Sequence, residues 1–521
     1  MEVGFECYVS VLFSCALSFT YAGRILFVPA HNVISHTKSM QPLAKALMES
    51  GHVVTILQIA DKEHPLHDAQ CTEQVWMSVE RVTGTDWNNA GLWSSRSNGP
   101  AFFTTMCKMT AKICSQLIRP APNKHGVMND QLATINSMYA AFANLTATAW
   151  DLVIVDSIFA PCGIYVALQG HFVDYSTTIM YYKSAVAKRI TSPLSVRPGT
   201  QMASFESKRF LHRLLNTCNS FIWLPFLTYI DVFTPLWSEG RLFGAVIDPF
   251  SFYRNSAFTF VTVPPSLNFA QPTSNEVIVV DHPCQKENSS RLPDNYRQFI
   301  EQPNSKGTIL VAFGHAFEAK SIPEQVRQAM LGAFLRLSDY RIIWQPAEQT
   351  DELNASHIWP NKWVPQSDIL AHPKTVAFVT HMGYKSFREG LCAQVPLVAM
   401  PIFAEQYFNT AVALQKGIGV FVNKMNISSE GMYRALHRVL NDRTIKQRMT
   451  RFSSQVNDQF VDPVDLATFW INFLLRRKNV VTKFLRQKGE DLNNIAMDNS
   501  DVLLFFASIV GILFVLIERS D

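Results

Sequence analysis

Residues 363 to 406, WVPQSDILAHPKTVAFVTHMGYKSFREGLCAQVPLVAMPIFAEQ, carry the densest set of side chains able to do chemistry in this chain. Trp363 offers a flat π face on which a base can stack, worth about 1 to 3 kcal/mol, and Gln366 can both donate and accept beside it. His381, Gly383 and Ser386 fall between a strand-like and a helix-like run, where unpaired N–H groups and the positive helix end favour a phosphate. Glu389, Glu405 and Gln406 follow with two carboxylates and an amide. The spacing suits a nucleotide diphosphate sugar held end to end.

Short apolar runs must position these groups. RILFVPA (24–30) reads as a buried strand, with His36 in the loop after it. A helix is expected over Met40 to Ser50, with Ser39 as N-cap, Pro42 in the first turn and Gly51 as the stop. Val53 to Ile59 returns as a strand, so residues 24 to 59 form a β-α-β unit. Leu152 to Val155 is a further strand ending at Asp156; the rest of residues 60 to 260 is less legible. The proline-rich stretch from Pro264 to Pro293 reads as a linker. A second β/α series follows it: a strand over Thr308 to Phe313, a helix opened by a Ser321–Glu324 capping box, then strands at Arg341 to Trp344, Val376 to Thr380 and Leu397 to Met400. His36, Asp156, His315, His381 and Glu405 all lie just past strand ends, where open parallel sheets bind ligands.

A length of 521 residues predicts two domains, and a formal charge of +4 with 17% charged residues excludes nucleic-acid binding by bulk electrostatics. Residues 1–22 read as a signal peptide with a small-x-small end at Thr20 and Ala22, although the start carries Glu2 and Glu6 and no basic residue. Val502 to Ile517 is a run of sixteen uncharged residues, a helix of about 24 Å, and reads as a short membrane span before the tail 518–521. A GPI-type signal at Asn499 and Ser500 is the weaker alternative. Seven cysteines remain after the signal, with no metal-type spacing and no implied disulfide framework. Sequons at Asn144, Asn288, Asn354 and Asn426 suit a lumenal protein.

The 363–406 block resembles the signature of the UDP-glycosyltransferases, the family that includes the UDP-glucuronosyltransferases, in the form of animal membrane-bound members. The resemblance extends over most of residues 24 to 480. It implies an α/β GT-B fold, two Rossmann-like domains facing a cleft: residues 23–280 for the acceptor, a linker at 281–300, and 301–480 for the UDP-sugar. A juxtamembrane segment, 481–501, would lead to the C-terminal transmembrane helix. It also implies that Trp363 stacks on uracil beside Gln366, that Gly314, His315, His381, Gly383, Lys385 and Ser386 surround the diphosphate, and that Glu389 accepts from the ribose. Glu405 and Gln406 would bond the sugar. His36, in ISHTKSM, would deprotonate the acceptor hydroxyl with Asp156 orienting it; His31 is the alternative base.

Three positions depart from the family pattern: Lys385 replaces asparagine, His315 replaces serine and Glu405 replaces aspartate. The tail also lacks the usual lysines. The resemblance implies an inverting transfer from UDP-glucuronate or UDP-glucose to a small lipophilic hydroxyl acceptor, with no metal and no permanently bound cofactor. It further implies a single-pass endoplasmic reticulum protein with lumenal domains, open to homo-oligomerisation. The departures keep a second class open, a degenerate UDP-sugar-binding protein of the same fold.

Overall fold

The computed structural model describes residues 22–60, 71–78, 130–218, 249–314, 322–345, 355–477 and 500–518, with short gaps at 32, 157–159, 168–169, 181, 191–194, 200–201, 270–271, 282–283 and 285–291, and seven isolated residues, 92, 93, 114, 117, 485, 492 and 496. Among the described residues thirteen strands form two fully parallel sheets. The first contains β1 (Arg24–Val28), β2 (Val53–Ala60), β3 (Glu73–Ser78), β4 (Leu152–Asp156), β5 (Phe172–Ser176), β6 (Thr259–Val261) and β7 (Val277–Val279), in the order β3-β2-β1-β4-β5-β6-β7. The second contains β8 (Thr308–Ala312), β9 (Arg341–Gln345), β10 (Ile358–Pro360), β11 (Thr375–Thr380), β12 (Leu397–Ala399) and β13 (Gly419–Phe421), in the order β10-β9-β8-β11-β12-β13. Both follow the doubly wound 3-2-1-4-5-6 order, which opens a crevice where the winding reverses.

Continuous apolar runs make these strands because parallel sheets are covered on both faces. All five residues of β4 and of β8 are buried. Register then brings the loops together. Val28 pairs with Val155, so the turns after β1 and β4 leave the sheet side by side. Ala312 likewise pairs with Thr380, setting Gly314 beside His381.

Helix α1 runs from Ile34 to Glu49, six residues earlier than the sequence reading, with Val33 rather than Ser39 as N-cap and Pro42 inside. His36 therefore sits in a helical first turn rather than in a loop. Tertiary contacts to its side chain, described below, fix that turn where local capping signals do not. The expected linker is also partly ordered structure: Pro265–Leu267 is a 3₁₀ turn and Val277–Val279 is the edge strand β7. The anchor is a fully buried ion pair, Lys188 Nζ to Glu276 Oε2 at 2.5 Å, which proline counting could not reveal. Asp294–Ile300 is already helical, with Tyr296 and Ile300 in the core of the second half. The helix Glu324–Phe334 takes Pro323 as its N-cap, and Ser321 lies outside the described residues.

After α2 (Pro161–Ala167), α3 (Tyr384–Cys392) and α4 (Gln406–Lys416), the chain turns back. Helix α5 (Pro463–Arg476) packs on helix α1 and β7 and buries Ala467, Ile471, Leu474 and Leu475 in the core of the first sheet. His52 Nε2 meets Asn472 Oδ1 at 2.6 Å on the same face. Two disulfides, Cys114–Cys162 and Cys284–Cys392, join segments that the cysteine spacing left unpaired. Among the described residues no helix is long and apolar enough to cross a membrane. Helix α6 (Ser500–Glu518) exposes Val502 to Phe506, and its side chains are described as far as Ile512. The expected signal peptide, up to Tyr21, lies outside the described residues.

Candidate active site

At the crevice of the first sheet, His36 Nδ1 lies 2.8 Å from Asp156 Oδ2, with the carboxylate fully buried and the imidazole 12% exposed. Helix α1 supplies the ring from its first turn and the end of β4 supplies the carboxylate. Thr177, just past β5, completes the group. Its hydroxyl is 2.6 Å from His36 Nδ1 and donates to Asp156 Oδ2 at 3.2 Å. Asp156 thus accepts at Nδ1, which orients the ring so that Nε2 carries the lone pair of a general base. Sequence reading missed Thr177 because Asp174 interrupts the apolar pattern of β5; that carboxylate is buried and takes the Ser184 hydroxyl at 2.5 Å.

His31, the alternative base, is buried behind this group. Its Nε2 accepts the Cys162 N–H at 3.3 Å, and burial pulls its pKa down to about 3. The ring is therefore neutral, and it packs beside the Cys114–Cys162 bridge at the start of α2.

In the second half the turns after β8 and β11 meet at His381. A Cβ on Gly314 would come within 3.0 Å of the imidazole, and one on Gly383 within 2.5 Å of Nε2. Both glycines are therefore needed for the ring to lie where it does, and Gly314 also turns at φ +76°. Met382 between them adopts φ +66°, a left-handed conformation rare for a side chain of its size. Asn409 Nδ2 holds the Met382 carbonyl at 2.9 Å and stabilises that turn, a role its sequence position did not disclose.

Helix α3 starts at Tyr384 with Gly383 as N-cap. Gln366 Nε2 donates to Ser386 Oγ at 3.1 Å and to Glu389 Oε2, so three of the expected donor residues share one network. Lys385 is half-buried; burial, opposed by Glu389 and reinforced by Lys38 and Arg388, lowers its pKa to about 7. Trp363 is 59% exposed, with its ring open to a stacking partner. Its carbonyl accepts the Tyr296 hydroxyl at 3.1 Å.

Glu405 is the N-cap residue of α4, and burial raises its carboxyl pKa while the nearby His36 lowers it. Gln406 is buried: its Oε1 accepts the Ile402 and Phe403 N–H groups at 2.8 and 3.0 Å, leaving its amide N–H₂ as the group able to face a ligand. His315 lies outside the described residues.

Contacts between the halves start from α3. Tyr384 Oη donates to the Thr262 carbonyl at 2.5 Å, and Arg388 Nε pairs with Asp281 Oδ1 at 2.8 Å. The Cys284–Cys392 bridge fastens the far end of the same helix to the segment joining the sheets.

The family model described as "UDP-glucoronosyl and UDP-glucosyl transferase" matches residues 23–520. The chain belongs to this family. It is 25% identical over 508 residues to UDP-glucuronosyltransferase 1A8 of Homo sapiens, covering 96% of this chain and 91% of that protein. It is likewise 25% identical over 533 residues to UDP-glucuronosyltransferase 2B19 of Macaca fascicularis, covering 97% and 94%. Among solved structures, Phytolacca americana UGT2 complexed with UDP-2fluoro-glucose and pterostilbene aligns over 87% of this chain and 99% of that one, with TM-score 0.55 and 15% identity. Os79 from O. sativa in complex with UDP covers 87% and 100%, with TM-score 0.54 and 13% identity. These neighbours share the GT-B fold. The protein is thus a UDP-glycosyltransferase with two Rossmann-like domains.

Proposed function

We propose that this UDP-glycosyltransferase moves a glucuronosyl or glucosyl group, with inversion, from its UDP-sugar to a hydroxyl of a small lipophilic acceptor. The observation that carries the reading is the His36–Asp156 pair at 2.8 Å. His36 Nε2 takes the acceptor proton as the acceptor oxygen forms its bond to the anomeric carbon. The bond from that carbon to the diphosphate oxygen breaks on the opposite face, and UDP leaves with its electron pair. The imidazolium formed beside Asp156 is stabilised by the carboxylate.

The N–H groups at the start of α3, with His381, Lys385 and Ser386, neutralise the diphosphate without requiring a metal ion. Trp363 stacks on uracil, Gln366 and Glu389 face the ribose, and Glu405 with the Gln406 amide faces the sugar. Four hydrophobic side chains of the first half, Ile179, Val263, Leu267 and Phe269, pack into the core of the second half. The membrane reading is supported by the exposed apolar side chains of α6 and by the exposed sequon residues Asn144 and Asn426.

The deciding experiment is UDP release by detergent-solubilised protein, assayed with UDP-glucuronate and UDP-glucose against a panel of phenols and sterols. Turnover with either donor supports transfer. Tight UDP binding without turnover across the panel would instead favour the degenerate binder. In sealed microsomes, protection of residues 23 to about 500 from added protease supports lumenal domains; full digestion refutes them.

A further inference from the structure

Lys424 opens the 3₁₀ turn Lys424–Asn426 beyond β13 and is 3% exposed. Its ammonium donates to two carbonyls, Ile402 O at 2.6 Å and Leu92 O. Leu92 comes from the first half of the chain, between β3 and the helix Asp130–Ala147. Even so, Leu92 and Trp93 are buried in the second half's core with Phe313, Met400 and Ile402. Trp93 meets Phe313 edge to face, with centroids 6.0 Å apart and planes at 76°.

Phe313, met by Trp93, and Ile402, whose carbonyl takes the Lys424 ammonium, each begin a loop of the donor site. Phe313 precedes Gly314, the turn against His381. Ile402 gives its N–H to Gln406 and opens the loop to Glu405. A buried ammonium is costly unless its protons are taken up, and here the acceptors belong to segments from opposite halves of the chain. A methionine at this position would fill the space and leave both carbonyls without this donor.

We propose that Lys424, with Leu92 and Trp93, is a positioning latch that holds the two donor loops, at Phe313–Gly314 and Ile402–Gln406, in the geometry that receives the UDP-sugar. The inference rests on the donor-site reading above. None of the three residues touches substrate; they act through the loops.

The test is UDP calorimetry beside steady-state kinetics on the full-length enzyme. Wild-type protein that binds no UDP would remove the donor-site reading itself, independently of any variant. Given wild-type binding, Lys424→Met and Trp93→Ala should each weaken UDP and raise the UDP-sugar KM by about tenfold, with acceptor KM unchanged and kcat at saturating donor within about threefold. The double variant should lose no more than the worse single one, because both act on one assembly. Trp93→Phe, which keeps an aromatic edge toward Phe313, should stay within about threefold of wild type. If Lys424→Met does not fold, Trp93→Ala and Trp93→Phe carry the test alone. Unchanged UDP affinity in the folded variants, or equal losses in donor and acceptor KM, would overturn the latch.

Discussion

The two sheets share one strand order, but their sites are assembled at different ranges. In the second half the expected donor groups other than Gly314 and His315 lie within one stretch, residues 363 to 406, and the local sequence of strand, glycine and helix start already sets most of their geometry. In the first half His36 reaches a carboxylate 120 residues away and a hydroxyl 141 residues away. Local order therefore makes a binding site, whereas the proposed base exists only once the sheet has closed. Damage to the His36 group should fall on chemistry and damage to the 363–406 block on binding.

The sharpest way to break this comparison is His36→Ala. It should lower kcat by about 10² to 10⁴, or about 3 to 5 kcal/mol of transition-state stabilisation, with UDP affinity near normal. Retained turnover would remove His36 from the mechanism. Asp156→Asn should cost kcat by a similar order, because an amide no longer holds the ring in the orientation that exposes Nε2; kinetics with UDP affinity measured in parallel checks the assignment.

A smaller effect is expected from the donor side. Because the Lys385 ammonium loses its proton around pH 7, its grip on the diphosphate should be full below that pH and weaken as pH rises through it. UDP titrations from pH 6 to 9 should show a fall of about tenfold in affinity, and Lys385→Asn should flatten the profile. A flat wild-type profile would separate Lys385 from the phosphate. Smallest of all, Thr177→Val removes one hydroxyl from the Asp156 group and should lower kcat by about three- to tenfold without moving UDP affinity. An equal shift in UDP binding would blur the division between the halves.

Legibility in the sequence followed the same division. The strands around the donor site were readable because Thr308–Ala312 and Thr375–Thr380 are continuous apolar runs bounded by glycines and prolines. β6 and β7 were not, since three-residue strands carry no period and β7 depends on the buried Lys188–Glu276 pair. Helix α1 was started six residues late because Pro42 resembles a first-turn proline; the contacts of His36 extend the helix past it. Gln406 was expected to bond the sugar, and that backbone N–H groups claim its oxygen could not be read from its position. Both disulfides join distant segments, beyond the reach of cysteine counting.

Helix α5 gives the chain a schedule. The ribosome releases the first sheet early, at about 5 to 20 residues per second, yet Ala467, Ile471 and Leu474 belong to the core that covers β1. Until residue 476 emerges, the core around Ile25, Phe27 and Val54 has its helix α1 side chains Met40, Leu43 and Leu47 but lacks Ala467, Ile471 and Leu474 through the synthesis of the whole second half. The first half thus begins the molecule and is the last part to be finished, and a chain stopped short of α5 would present an incomplete core to chaperones rather than a finished domain.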